Sequence, residues 1–145
     1  MAMAHRQTEA RLQIAIVRWL QEVIPDSVVH HSPNGGTRKP WYVEKLKAMG
    51  MRPGWPDLEL LVPPEGFIHP DDVGPIFLEV KSSTGKVSEA QRSLHSDLSR
   101  FRVHIYTVKS IDDCRTYLTG LVTLRPATPH ARIVEEQSKA MLEVR

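Results

Sequence analysis

A single cysteine, Cys114, in 145 residues leaves no partner for an internal disulfide and too few thiolates for a cysteine-built zinc cluster. It sits among apolar residues at a helix-like position, which predicts a packing role. Charge of one sign is also lacking. The 19 basic and 17 acidic residues give a net charge of +2, so composition permits an anionic partner without requiring one. No apolar run reaches transmembrane length and no basic, apolar, small-residue leader opens the chain. The expectation is a soluble, intracellular, cytoplasmic protein without a membrane partner. No internal repeat is present, and the length is that of one domain with one core.

What is present is charge set inside apolar runs. In Ile76-Phe77-Leu78-Glu79-Val80-Lys81, strand geometry puts Glu79 and Lys81 on one face and Leu78 and Val80 on the other. A charge buried this way is costly unless it is paired or holds a metal. Asp57, which follows Gly54-Trp55-Pro56 and opens the run Leu58-Glu59-Leu60-Leu61-Val62, can supply the second acid. If the two strands are neighbours, Asp57 and Glu79 converge on one divalent cation beside Lys81, a hard-oxygen site.

Around these runs the chain reads as alternating helices and strands. Apolar residues from Thr8 to Val23 recur at helical spacing until Pro25. Within that helix Glu9 has two readings, an acid in the first turn favoured by the helix dipole, or a side chain leaning into the metal site. Ser27 to His31 is a short strand whose adjacent histidines point opposite ways, and neither is assigned as a ligand. Pro33-Asn34-Gly35-Gly36 is a turn, followed by Arg38 and Lys39, which suit either a phosphate contact or an ordinary exposed loop. Trp41 to Met49 predicts a helix with Tyr42, Val43, Leu46 and Met49 inward, capped by Gly50. The proline-rich stretch from Pro63 to Pro75 reads as loop, with Asp71 and Asp72 as solvated acids.

Ser88-Glu89-Ala90-Gln91 matches a capping box and opens a helix carrying Leu94, Leu98 and Phe101. Val103 to Val108 alternates as a strand, so residues 76 to 108 form a strand-helix-strand crossover between parallel strands. Ser110 caps a further helix with Ile111, Cys114, Leu118 and Leu121. The division is a domain over residues 1–122, then a linker and C-terminal helical tail over 123–145. That tail can pack on the domain, on a second subunit, or on nothing.

Taken in order, Gly54-Trp55-Pro56-Asp57, Glu79-Val80-Lys81 and Gly85-Lys86-Val87-Ser88-Glu89-Ala90-Gln91, with Glu9 on the first helix, resemble the VRR-NUC family of the PD-(D/E)xK nucleases. The resemblance covers roughly residues 5 to 122. One departure is Ser99-Arg100-Phe101-Arg102, which has no glycine where the family would place one.

The resemblance implies an α/β restriction-endonuclease-like core, a central mixed β-sheet flanked by helices in the order α-β-β-β-α-β. It implies that Asp57, Glu79 and the Val80 carbonyl bind Mg²⁺ or Mn²⁺, with Glu9 adding directly or through water. Lys81 would position the attacking water, and Gln91 would orient Lys81 or that water while also capping its helix. The activity expected is a metal-dependent DNA endonuclease acting on Holliday junctions, flaps or other structured DNA, as a homodimer where a symmetric junction needs two cuts. Arg38, Lys39, Arg52, Lys86 and Arg92 are the phosphate-contact candidates. The rivals are a DNA-binding or assembly module that does not cut, and a small-molecule hydrolase using the same metal.

Overall fold

The computed structural model of the chain describes residues 2–33, 38–126 and 129–143. Helix α1 (Ala2–Val23) buries Leu12, Ala15, Ile16, Trp19, Leu20 and Val23, the stripe that the spacing predicts. It starts at Ala2 rather than Thr8, because the preceding residues include Ala, Met, Arg and Gln, strong helix formers that add no apolar period. The turn expected at Asn34–Gly36 lies outside the described residues.

Four strands, β1 (Val28–His31), β2 (Leu58–Leu61), β3 (Ile76–Val80) and β4 (His104–Val108), form one sheet in the order β1-β2-β3-β4. β1 pairs antiparallel with β2, and β2 antiparallel with β3. β3 and β4 pair parallel, joined by the crossover helix α3 (Glu89–Leu98). The sheet is therefore mixed and flanked by helices, as expected, with helix α2 (Pro40–Ala48) inserted between β1 and β2.

Register divides this sheet into two faces. Leu58 lies opposite Leu78 and Leu60 opposite Ile76. With Val80 and Val108, these side chains join the stripe of α1 and the Ile111, Cys114 and Leu118 side chains of α4 (Ile111–Thr119) in the main core. Cys114 packs there, its thiol pushed up to about 12 by burial first and then by the Asp113 charge. Phe77 and Leu94 are buried outside that cluster, on the face that α3 covers. β3 is thus buried along its whole length and on both faces, as a strand between helix layers must be.

The C-terminal segment packs on the domain. Helix α5 (Pro129–Glu143) lies against α1, and Arg115 of α4 reaches Glu135 through two hydrogen bonds of 2.9 and 2.6 Å while its guanidinium sits 5.7 Å from the Trp19 ring centre. Ile133 on this helix is exposed, and Val144 and the side chains of Val134 and Met141 lie outside the described residues. The stretch from Pro63 to Pro75 holds two 3-10 turns, Pro64–Gly66 and Pro70–Asp72, and buries Phe67. Among the described residues no helix is long and apolar enough to cross a membrane.

Two expectations fail. α2 has the predicted span and ends as predicted, with Gly50 at φ 105° and backbone bonds from Gly50 to Lys47 and from Met51 to Leu46. Yet it buries no residue: Tyr42 and Met49, expected inward, are exposed, and Val43 and Leu46 are only half-buried. Helical spacing supplies an apolar stripe, but among the described residues no element packs against that stripe closely enough to bury it. Phe101 is likewise exposed, because α3 ends at Leu98 and the chain turns through Ser99 and Arg100.

The two apolar environments predict opposite responses to truncation. Leu78→Ala, in the closed core, is expected to lower unfolding free energy by about 2–5 kcal/mol. Met49→Ala, on the open face of α2, is expected to change it by less than about 0.5 kcal/mol. Urea unfolding followed by circular dichroism measures both.

Candidate active site

The β2–β3 register brings the charged residues together. Leu58 pairs with Leu78, and continuing the antiparallel register by one residue sets Asp57 opposite Glu79 on the α3 face. Lys81 follows two residues later on that face. Asp57 Oδ2 accepts a hydrogen bond from the Val80 amide at 2.8 Å. The Asp57 carbonyl accepts the Ser32 amide at 3.2 Å and lies 2.8 Å from His31 Nδ1. Since a carbonyl only accepts, His31 carries its hydrogen on Nδ1 in this contact.

The loop before Asp57 is wedged in place. Gly54 has φ 80°, and a β-carbon there would lie 2.7 Å from the Ala90 carbonyl oxygen in the first turn of α3. Glycine is needed on both counts. Trp55 meets Phe77 edge to face, with ring centres 5.6 Å apart, and Pro56 is buried. Loop, strand and helix are therefore fixed against one another at the position where Asp57 enters β2.

Glu79 is the centre of the cluster and is 1% exposed. Its Oε1 accepts Gln91 Nε2 at 2.6 Å and lies 3.6 Å from Lys81 Nζ. Gln91 also completes the predicted capping box: its Oε1 accepts the Ser88 amide at 2.8 Å, while its own amide donates to Ser88 Oγ at 3.2 Å. One side chain both caps α3 and holds the buried acid.

Glu79 Oε2 has no hydrogen-bond partner among the described residues. Burial pushes the carboxyl up to about 9, with the neighbouring Asp57 carboxylate adding to the rise and Lys81 opposing it. A buried oxygen without a partner among the described residues, in a carboxyl kept protonated by burial first and then by a second acid, is an arrangement that a divalent cation would complete. The donor set is two carboxylates with neighbouring backbone oxygens. Among the described residues no three His, Cys, Asp or Glu side chains gather closely enough to hold a metal.

Glu9 is accordingly not the third carboxylate of one cluster with Asp57 and Glu79. Its Oε1 accepts the Ser82 amide at 3.2 Å, and a β-carbon on Gly85 would lie 3.0 Å from it. Glu9 thus ties α1 to the turn immediately after Lys81. The reading as a first-turn acid is overturned, since α1 begins at Ala2 and Glu9 sits in its second turn or beyond.

His95 belongs to this site and was not picked out from the sequence. Its Nε2 lies 3.8 Å from Glu79 Oε2, and it too is buried without a hydrogen-bond partner among the described residues. Burial, and then the Lys81 charge, hold the imidazole below its usual pKa, so at neutral pH it faces Glu79 uncharged. The signal was its spacing, four residues after Gln91 on the same helix face.

The five basic candidates fall in two groups. Lys86, between β3 and α3, and Arg92, which follows Gln91 on α3, are exposed. Arg38, Lys39 and Arg52 flank α2: Arg38 donates to the Pro33 carbonyl at 2.9 Å, Lys39 is the residue before the helix, and Arg52 pairs with Asp97 at 3.1 Å.

Stability should fall as pH rises in the absence of metal. Glu79 binds its proton more tightly when folded, with a value near 9 against 4.5 unperturbed. Its contribution is therefore full below about 4.5 and is lost as pH climbs through the folded value. In EDTA the urea midpoint is expected to decline from pH 5 to pH 9, and Glu79→Gln is expected to flatten that decline.

The sequence matches no protein-family model and no curated protein. The structure is similar to a solved structure described as a VRR_NUC domain protein, with a TM-score of 0.56 over 77% of this chain and 85% of the other at 20% identity. At that identity the likeness bears on architecture: the chain has the fold of a VRR-NUC domain.

Proposed function

We propose that the chain is a metal-dependent DNA endonuclease of the PD-(D/E)xK type. The observation that carries this reading is the convergence of Asp57, Glu79 and Lys81 on one face, with a buried Glu79 oxygen left without a partner among the described residues. Asp57, Glu79 and the Val80 carbonyl would hold Mg²⁺ or Mn²⁺. When bound, the cation supplies an acidified water and a counter-charge for the phosphate.

The remaining work falls to the chain. Lys81 has a side chain only 13% exposed and 3.6 Å from Glu79 Oε1. As a cation held in that position it orients the attacking water and meets the negative charge that builds on the phosphate. Gln91 fixes the rotamer of Glu79 through its 2.6 Å hydrogen bond. Glu9 fixes the turn after Lys81 through the Ser82 amide, and in this reading supports the site from behind or through water. Lys86 and Arg92, exposed and close in sequence to Lys81 and Gln91, would steer the phosphate backbone towards the site.

The substrates proposed are branched or flapped DNA, including Holliday junctions, and two copies of the chain acting together would serve a symmetric junction. Cleavage of labelled four-way junction, flap, single-stranded and linear duplex DNA, with Mg²⁺, Mn²⁺ or EDTA, tests the reading. Cutting should require metal, favour the branched substrates, and fall about a hundredfold or more in Lys81→Ala. Binding that needs no metal, with no cutting of any substrate, would instead identify a non-cleaving module.

A further inference from the structure

Charge is spread unevenly along this chain. Residues 38 to 52, α2 with its flanks, carry five basic residues, Arg38, Lys39, Lys45, Lys47 and Arg52, against one acid, Glu44. All other residues together carry 14 basic against 16 acidic. The net positive charge of the protein therefore resides in this one segment.

The segment also displays aromatic and apolar surface. Trp41 is 65% exposed and Met49 74% exposed, and Lys45 lies between them at helical i, i+4, i+8 spacing, which aligns the three in one stripe. Tyr42 meets Trp41 edge to face at 5.7 Å, and the Arg38 guanidinium sits 6.0 Å from the Tyr42 ring centre. No residue of α2 is buried. A nine-residue helix whose best-covered apolar residues, Val43 and Leu46, are only half-buried has little of the tertiary packing that usually sustains so short a helix, and gains from a partner. Cations that track a phosphate backbone, beside a flat exposed ring on which a base can stack, are the chemistry that holds single-stranded nucleic acid. The helix then runs through the Gly54 loop directly into Asp57, so whatever α2 grips lies along the chain next to the candidate site.

We propose that α2 is the DNA-gripping element of this protein, with Trp41 stacking on an unpaired base at a branch or flap and Lys45 and Lys47 contacting the adjoining phosphates. This rests on the nuclease reading for its ligand and names the feature by which branched DNA is told from plain duplex. Fully paired duplex offers Lys45 and Lys47 the same phosphates but no free base for Trp41.

The test is binding by full-length protein in EDTA, where no cutting occurs, to labelled single-stranded, flap, four-way junction and blunt duplex DNA over a range of salt. Trp41→Ala should weaken single-strand and flap binding about tenfold or more, with less than about a twofold change on blunt duplex. Lys45→Glu with Lys47→Glu should weaken all four and reduce the log–log salt slope by about two. Circular dichroism and sedimentation velocity on each variant report folding and oligomeric state. Trp41→Ala binding every DNA as the wild type does overturns the assignment, as does loss of dimer as its sole effect, which would make α2 an interface between copies. Either result leaves the nuclease reading standing if the wild type cuts in metal. Wild-type protein that binds none of the four DNAs removes both.

Discussion

Burying the carboxyl of Glu79 is the constraint on which the other features turn. β3 runs between two helix layers, so a side chain on either face meets protein rather than water. On one face that demand is met by Leu78 and Val80; on the other it falls on an acid opposite a second acid. A buried carboxylate is tolerable only when hydrogen-bonded, paired or bound to a cation. Gln91 satisfies one oxygen and Lys81 lies close to it. The other oxygen faces an uncharged His95 across 3.8 Å, and the carboxyl holds a proton up to about pH 9. A divalent cation between Asp57 and Glu79 would let that carboxyl ionise and stay buried.

Much of the surrounding structure places that carboxyl accurately. The positive φ of Gly54 and its close approach to Ala90 lock the Asp57 loop to the first turn of α3. The capping box locks Gln91 to the same turn. Glu9 locks α1 to the turn beyond Lys81. Three separate segments are thus tied to the C-terminal end of one short strand, which is the rigidity that a positioned functional group requires.

The local parts of this arrangement were legible in the chain. Glu79 and Lys81 share a face by strand geometry alone, Ser88 and Gln91 announce a cap, and the span of every strand was close to that found. What was not legible depends on contacts distant in sequence. Opposition of Asp57 and Glu79 follows only from the antiparallel register of β2 and β3, which the sequence permits but does not dictate. Glu9 was read without knowing that α1 starts at Ala2 or that its carboxylate is taken by Ser82. Tyr42 and Met49 were placed inward because helical period says which residues share a face, not whether anything covers that face. His95 was passed over because a histidine on a helix has no distinguishing pattern until Glu79 is seen across from it.

α2 with its flanks carries the chain's net positive charge, and the Asp57–Glu79 pair sets two acids side by side. A single backbone segment joins them. The central claim is that the Asp57–Glu79 pair is a cation site, and calorimetric titration of the protein with Mn²⁺ at pH 7, in buffers of different ionisation enthalpy, tests it most directly. The account predicts binding with release of about one proton, because Glu79 must ionise to coordinate, and loss of both in Asp57→Asn. Mn²⁺ binding without proton release, or binding unchanged in Asp57→Asn, would contradict it.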